Sequence, residues 1–304
     1  MDHARRLIRR MRRESGLYLL FLIPLVWYLV FMYSPMYGLQ IAFRRYNARL
    51  GITGSPWVGL MYFQQFFGSY YFTSLIVNTI VLSVYQMAIG FPIPILLALT
   101  INEIRSRPLQ KAVQNITYVP YFLSMVVIIS MLNLFSNPYN GLFNQIGQFL
   151  GAPPVDYFAK EDYFRSLYVF SGVWQNMGFN SVIYIAALSA IDPQLYEAAE
   201  IDGASRLNRI IHISLPSIMP TIAILFIMRI GSLMNVGFEK VLLMQNNINM
   251  GTSDVISTFI YRNGIQKGQF SYSAAVGIFN SLINLTLLFG ANLLSRKVAQ
   301  SSLW

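Results

Sequence analysis

Residues 71–101 read YFTSLIVNTIVLSVYQMAIGFPIPILLALTI, 31 consecutive positions without an Asp, Glu, Lys, Arg or His. About 20 apolar residues suffice for a helix to cross the hydrocarbon core of a bilayer. Five further apolar runs lie near 17–42, 112–135, 166–190, 216–239 and 271–295, of which only 216–239 holds charged residues, Arg229 and Glu239. None alternates strictly between apolar and polar residues, as the strands of a membrane barrel do. A helix satisfies its own backbone hydrogen bonds in lipid. The expectation is an all-α, polytopic membrane protein with six transmembrane helices. Pro92 and Pro94 predict a kink in the second span. Pro24 and Pro120 also fall inside or at the ends of runs, where membrane helices tolerate proline.

Composition agrees. The 304-residue chain is 55% hydrophobic and 11% charged, whereas soluble domains carry about 25% charged residues. The formal net charge of +10 reads as a topology signal rather than a nucleic-acid footprint. With no cysteine and only His3 and His212, disulfides, thiolate sites, cysteine nucleophiles and histidine-rich metal sites are excluded.

Lysine and arginine set the orientation. Arg5, Arg6, Arg9, Arg10, Arg12 and Arg13 precede the first span. Arg105, Arg107 and Lys111 follow the second, Arg206 and Arg209 the fourth, and Arg296 and Lys297 the sixth. That side holds thirteen cations and the other eight (Arg44, Arg45, Arg49, Lys160, Arg165, Lys240, Arg262, Lys267). Both termini are therefore expected to be cytoplasmic. Residues 5–35 read as an uncleaved first span, because the apolar run is too long for a signal peptide and no small-x-small site follows. The division is a basic cytoplasmic N-terminal segment 1–16, a six-helix transmembrane domain 17–295 and a cytoplasmic tail 296–304. The arginine-rich lead is either an interfacial helix on the anionic inner leaflet or a topology signal alone.

The cytoplasmic loop 191–216 has its own architecture. Asp192-Pro193 is an N-cap followed by a proline at the first helical position. Glu197, Ala198 and Ala199 continue the helix, and Gly203 ends it in a left-handed cap. Ser205 caps a second helix with Leu207, Ile210, Ile211 and Leu215 on its apolar face. Two short helices meeting at a glycine make an elbow. It either docks into a cleft of a cytoplasmic partner or lies on the lipid headgroups.

The spacing Glu197-Ala198-Ala199, three residues, Gly203, nine residues, Ile213-x-Leu215-Pro216 resembles the EAA loop of binding-protein-dependent ABC importer permeases. The resemblance implies that these seven residues form the coupling element that sits in a groove of a separate ATPase. It also implies the other parts: a second permease (a heterodimer being favoured), a cytoplasmic ATPase dimer that holds the ATP and Mg, and an extracellular solute-binding protein. The setting would be a bacterial cell membrane. Trp174-Gln-Asn-Met-Gly-Phe-Asn180, Asn235-Val-Gly-Phe-Glu-Lys240 and Asp254-Val-Ile-Ser-Thr-Phe-Ile-Tyr261 look like the carbohydrate branch, in particular its oligosaccharide and polysaccharide-fragment permeases.

Ionisable groups at membrane depth are functional candidates. Arg229 is expected in the middle of the fifth span, bonding sugar hydroxyls, an acidic sugar or a structural partner. Glu239 lies nearer that span's outer end. Asn176 and Asn180 share one face of the fourth span, and Asn280, Asn284 and Asn292 one face of the sixth. With Asn235 they line a polar passage or bond between helices. Trp174 stacks on a sugar or anchors at the interface. The sequons at Asn115 and Asn284 fall at or within spans and are chance matches.

No lysine follows a glycine, so the chain has no P-loop and is expected to bind no cofactor and catalyse nothing itself. An ion-coupled secondary transporter is the alternative; it requires acidic relays in the spans, and none is visible away from their ends. A membrane scaffold leaves Arg229 and the loop unexplained, and an intramembrane enzyme lacks paired histidines, cysteines or carboxylates at depth.

Overall fold

A computed structural model describes residues 14–298. The arginines expected to set topology at positions 5–13, and the tail beyond 298, lie outside the described residues. The described chain is helical, with β-structure confined to the isolated bridges Arg44–Trp57 and Asn47–Gly51. It forms two compact units, residues 14–67 with 263–278, and residues 68–262 with 279–298.

In the first unit, helix α1 (Ser15–Tyr28) runs on through a π turn (Leu29–Tyr33) and a 3-10 stretch (Ser34–Phe43) as one span of 29 residues. No side chain of α1 is buried within the chain. An uncovered helix that is apolar all round is stable only in lipid or against another subunit. The segment after it is tied down by polar contacts. The Arg44 guanidinium donates to the carbonyls of Thr53 and Ser55 at 3.0 and 2.9 Å and lies over the Trp57 ring. Ser271 donates to the Arg44 carbonyl at 2.7 Å.

In the second unit, α2 (Phe72–Gly90) and α3 (Pro92–Asn102) follow one another as a single 31-residue span. Phe91 keeps helical φ and ψ of −83° and −45°. The two prolines therefore interrupt the hydrogen-bond ladder locally without ending the span.

The third span is not the unbroken helix expected at 112–135. Helix α4 (Arg107–Tyr118), a 3-10 turn (Val119–Phe122) and α5 (Met125–Phe135) bend by 99°. Pro120 lacks a donor, Ser124 caps α5 by accepting from Val127 N at 3.4 Å, and Gln175 Nε2 donates to the freed Leu123 carbonyl at 3.4 Å. After a short helix α6 (Leu142–Phe149), the 29-residue α7 (Glu161–Ser189) forms the centre of the unit and packs against α2, α3 and α4. Its buried stripe of Phe164, Tyr168, Gln175, Gly178, Ser181, Tyr184 and Leu188 follows the three-and-four spacing of a helix face. At Gly178 the chains touch: a Cβ there would overlap the Thr117 carbonyl.

Helix α8 (Pro193–Ile201) belongs to the elbow. The chain then turns through Arg206–Ser214 into α9 (Leu215–Gly231), followed by α10 (Phe238–Met244) and α11 (Phe270–Val298). The fifth run was expected to be helical to 239, and its helix ends at Gly231. Asn235 therefore sits in the connection and Glu239 in the first turn of α10. Arg229 occupies the last turn of α9, where the helix dipole favours a cation. Lys240, counted from sequence as a loop cation, is only 4% exposed.

Four helices of the described residues are long and apolar enough to cross a membrane, and a fifth if the bent pair is one span. Helix α7 has the length but carries more polar side chains than these, because so much of it packs against protein.

Candidate functional site

Three arrangements in the second unit carry the candidate chemistry. The first is the elbow. Asp192 accepts from Gln194 N at 3.0 Å, Gly203 has φ +75°, and Ser205 accepts from Asn208 N at 3.3 Å. Ala204 N returns to the Ala199 carbonyl at 2.9 Å. Each is a helix-end device that satisfies orphan backbone groups. Glu197 and Ala198 are exposed, Ala199, Ile213 and Leu215 half-buried, and Pro216 exposed. Ile201 is 86% exposed and Leu207 63%, so the elbow presents large apolar side chains with nothing over them.

The elbow is also clamped. Arg209 pairs with Glu103 at 3.2 Å and Glu200 at 3.5 Å, and Arg105 pairs with Glu200 at 2.8 Å. Tyr196 and Ser214 share a hydrogen bond of 2.9 Å across its interior. Sequence reading missed this clamp, whose partners Glu103 and Arg209 are 106 positions apart.

The second arrangement is a cavity of about 350 Å³ between the α2–α3 junction, α7 and α9. Arg229, Asn180 and Tyr184 line it together with the rings of Phe91 and Phe179. Phe179 is held by Tyr121, stacked at 3.9 Å and 5°. Asn176 points elsewhere, donating to the Gly172 carbonyl of its own helix at 2.8 Å. Trp174, 42% exposed, lines a separate apolar cavity of about 490 Å³ with Leu132, Phe135 and Phe170.

The third is an amide knot. Asn280 and Asn284 both donate to Asn235 Oδ1 at 3.1 Å, and Asn284 Oδ1 accepts from Met234 N at 2.9 Å. Asn284 is midway along α11, so the irregular backbone after Gly231 meets polar partners at the middle of a long apolar helix. Non-helical backbone at membrane depth requires such partners. Gly237 N donates to the Tyr168 hydroxyl at 3.1 Å, and Lys240 Nζ to the Tyr168 carbonyl at 2.8 Å. Glu239 is exposed and forms no ion pair among the described residues. Asn292 is buried in the same helix as Asn284.

The third motif, Asp254–Tyr261, is a packing device. Asp254 accepts from Thr258 at 3.2 Å and pairs with Arg262 at 2.6 Å, while Asn78 of α2 donates to the Asp254 carbonyl at 3.2 Å.

A family model described as "binding-protein-dependent transport system inner membrane component" matches residues 90–300. The chain belongs to this family. The match takes in the elbow, the cavity and the amide knot alike. The likeness also extends over the preceding residues. The polygalacturonan/rhamnogalacturonan transport system permease protein YteP of Bacillus subtilis is 40% identical over 303 residues, covering 100% of this chain and 94% of the relative. The arabinooligosaccharides transport system permease protein AraP of Bacillus subtilis is 29% identical, covering 74% of this chain and 70% of its own. One crystal structure of a bacterial ABC transporter involved in the import of the acidic polysaccharide alginate contains a chain 40% identical. It superposes with a TM-score of 0.89 over 96% of this chain and 99% of that one. Family members are transport components of the inner membrane, in line with the multi-pass helices seen here.

Proposed function

We propose that this chain is the membrane-spanning permease subunit of an ATP-driven importer, forming the path for a sugar or oligosaccharide delivered by an extracellular binding protein. The observation that carries the reading is the elbow: a capped, internally bonded projection with uncovered Ile201 and Leu207, built on the 197–216 spacing. Exposed apolar side chains on a rigid projection suit insertion into a protein cleft. Its two ends lead directly into α7 and α9, so a push on the elbow acts on the helices that wall the cavity. ATP and Mg belong to the partner ATPase dimer.

The polygalacturonan/rhamnogalacturonan and arabinooligosaccharide permeases among the relatives support a carbohydrate cargo, and the alginate transporter, whose structure with a pentasaccharide-bound periplasmic protein is known, supports delivery by a binding protein. Six spans with both termini in the bacterial cytoplasm follow if α1, α2–α3, α4–α5, α7, α9–α10 and α11 each cross once. A second permease completes the path, and a heterodimer is the favoured form. Ion coupling finds no support: no Asp or Glu occurs at 15–102, 163–191, 203–238 or 255–304.

The test is a pull-down of the detergent-extracted protein from its native membrane, wild type against Glu197→Arg. Recovery of an ATPase and a second permease with the wild type, and loss of the ATPase with the variant, is the expected result. A wild-type protein that comes down alone, under conditions that preserve a known importer, sinks the reading.

A further inference from the structure

The two legs of the third span cannot both stand upright in a bilayer. Helices α4 and α5 bend by 99°, so if one runs along the membrane normal the other lies close to the membrane plane. Their side chains decide which. Helix α5 carries no charged residue. Helix α4 carries Arg107 and Lys111, and no Asp or Glu occurs at 104–155 to neutralise them locally. Neither cation forms an ion pair among the described residues, whereas Arg105, just before the helix, is held by Glu200 of the elbow at 2.8 Å.

The faces of α4 are inverted relative to a helix that meets water. Its half-buried side holds Gln110, Val113, Gln114 and Thr117. Gln110 donates to the Ile101 carbonyl at 3.3 Å, Thr117 donates to carbonyls of its own helix at 2.9 and 3.1 Å, and the Thr117 carbonyl abuts Gly178 of α7. The exposed side is divided lengthwise. Leu109, Ala112 and Ile116, continued by Val119 in the next turn, form one stripe at helical spacing, with Ile116 73% exposed. Arg107, Lys111 and Asn115, four apart, form a second exposed stripe beside it. A helix at a water-exposed surface turns its apolar stripe to the protein and its polar side outward. Helix α4 turns mostly polar side chains to the protein and an apolar stripe outward, which is stable where the outside is lipid. A basic stripe flanking the apolar one is the pattern of a helix held in an anionic membrane interface.

We propose that α4 is an interfacial helix lying in one leaflet, with Leu109, Ala112 and Ile116 among the acyl chains and Arg107 and Lys111 on anionic lipid headgroups. Charge selects lipid over a protein surface here: a subunit covering the apolar stripe would also desolvate two unpaired cations at its edge. Helix α5 then carries the chain on across the bilayer. That the leaflet is the inner one rests on the orientation given under the importer reading. The Arg105–Glu200 pair joins this lipid-facing helix to the elbow.

The chain has no cysteine, so Lys111→Cys, Ala112→Cys, Asn115→Cys and Ile116→Cys each give one labelling site. Each variant is spin-labelled within the assembled importer, its partner subunits freed of accessible cysteine, in nanodiscs of phosphatidylcholine with or without phosphatidylglycerol. Collisions with oxygen, which concentrates in hydrocarbon, are compared with collisions with a water-soluble nickel chelate. Both faces of a nanodisc carry the same lipids, so the result depends on neither orientation nor cargo. With phosphatidylglycerol, labels at Ala112 and Ile116 should meet oxygen more than nickel, and labels at Lys111 and Asn115 the reverse. Leaving out phosphatidylglycerol should lower the oxygen preference at Ala112, and Arg107→Gln combined with Lys111→Gln should abolish that dependence. Immobile labels at Ala112 and Ile116 that meet neither agent would put a partner subunit over the stripe and overturn the proposal. Nickel contact at all four positions would put the helix in water and overturn it too. An oxygen preference equal in the two lipids would refute the anionic headgroups. Each stripe is read at two exposed positions, so loss of one variant leaves the test intact. An assembly without an ATPase would sink the importer reading and leave the placement of α4 standing.

Discussion

Removing Arg209 should loosen the elbow far more than removing Arg105, although both arginines pair with Glu200. Arg209 is 11% exposed and Glu103 13%, at 3.2 Å, whereas Arg105 and Glu200 are 72% and 59% exposed. Breaking a fully buried pair costs about 3–5 kcal/mol, and an exposed pair contributes about 0–1 kcal/mol. With about a tenth of each side chain still wet, Arg209→Gln falls between, at roughly 1–3 kcal/mol. Most of that is the cost of leaving Glu103 with its charge and no partner. The readout is hydrogen–deuterium exchange of the amides from Gln194 to Arg209, which reports local opening. Since about 1.4 kcal/mol is tenfold, protection should fall roughly fivefold to a hundredfold in Arg209→Gln. Arg105→Gln should change it by less than about fivefold. Glu103→Gln combined with Arg209→Gln should recover part of the loss, because no orphaned carboxylate remains. Equal effects of the two single variants, or a double variant worse than Arg209→Gln, would refute the view that burial decides which pair holds the elbow.

Gly203 has φ +75° with open space at the Cβ position. Gly203→Ala should therefore cost only the left-handed backbone term, about 1–2 kcal/mol, read as faster exchange at the elbow. Gly203→Pro also removes the N–H that bonds Glu200 O at 3.1 Å and should abolish uptake while the chain still inserts; wild-type uptake by it would remove the coupling role. Asn284→Leu orphans Met234 N and should lower the thermal midpoint in detergent, at about 1–3 kcal/mol. Asn280→Leu should do less, because Asn284 still serves Asn235. Gly178→Val has nowhere to go beside the Thr117 carbonyl and should abolish monodisperse protein on size exclusion. Gly90→Ala meets its nearest atom at 3.6 Å and should not.

The parts legible in the sequence are those whose causes are local. Asp192-Pro193, Gly203 and Ser205 each act within a few residues, so the elbow was readable cap by cap. The apolar runs were readable for the same reason, since lipid is a solvent that every residue meets independently. Long-range partners were not legible. The third span breaks at Pro120 and Ser124, and the Leu123 carbonyl freed there is met by Gln175, 52 residues later. The helix of the fifth ends at Gly231 although its apolar pattern continues, because Asn284 accepts Met234 N and makes a turn at that depth affordable. The spacing of Asn280 and Asn284 left passage and packing both open; their bonds to Asn235 are of the packing kind.

Arg229 and Tyr184 show where that boundary falls at the candidate site. A single arginine in an apolar run stands out in any sequence, because its insertion cost is a property of the residue. A tyrosine among nineteen does not, since tyrosines serve routinely as packing and as interface anchors. Only the fold reveals that Tyr184, 45 positions before Arg229, lines the same cavity.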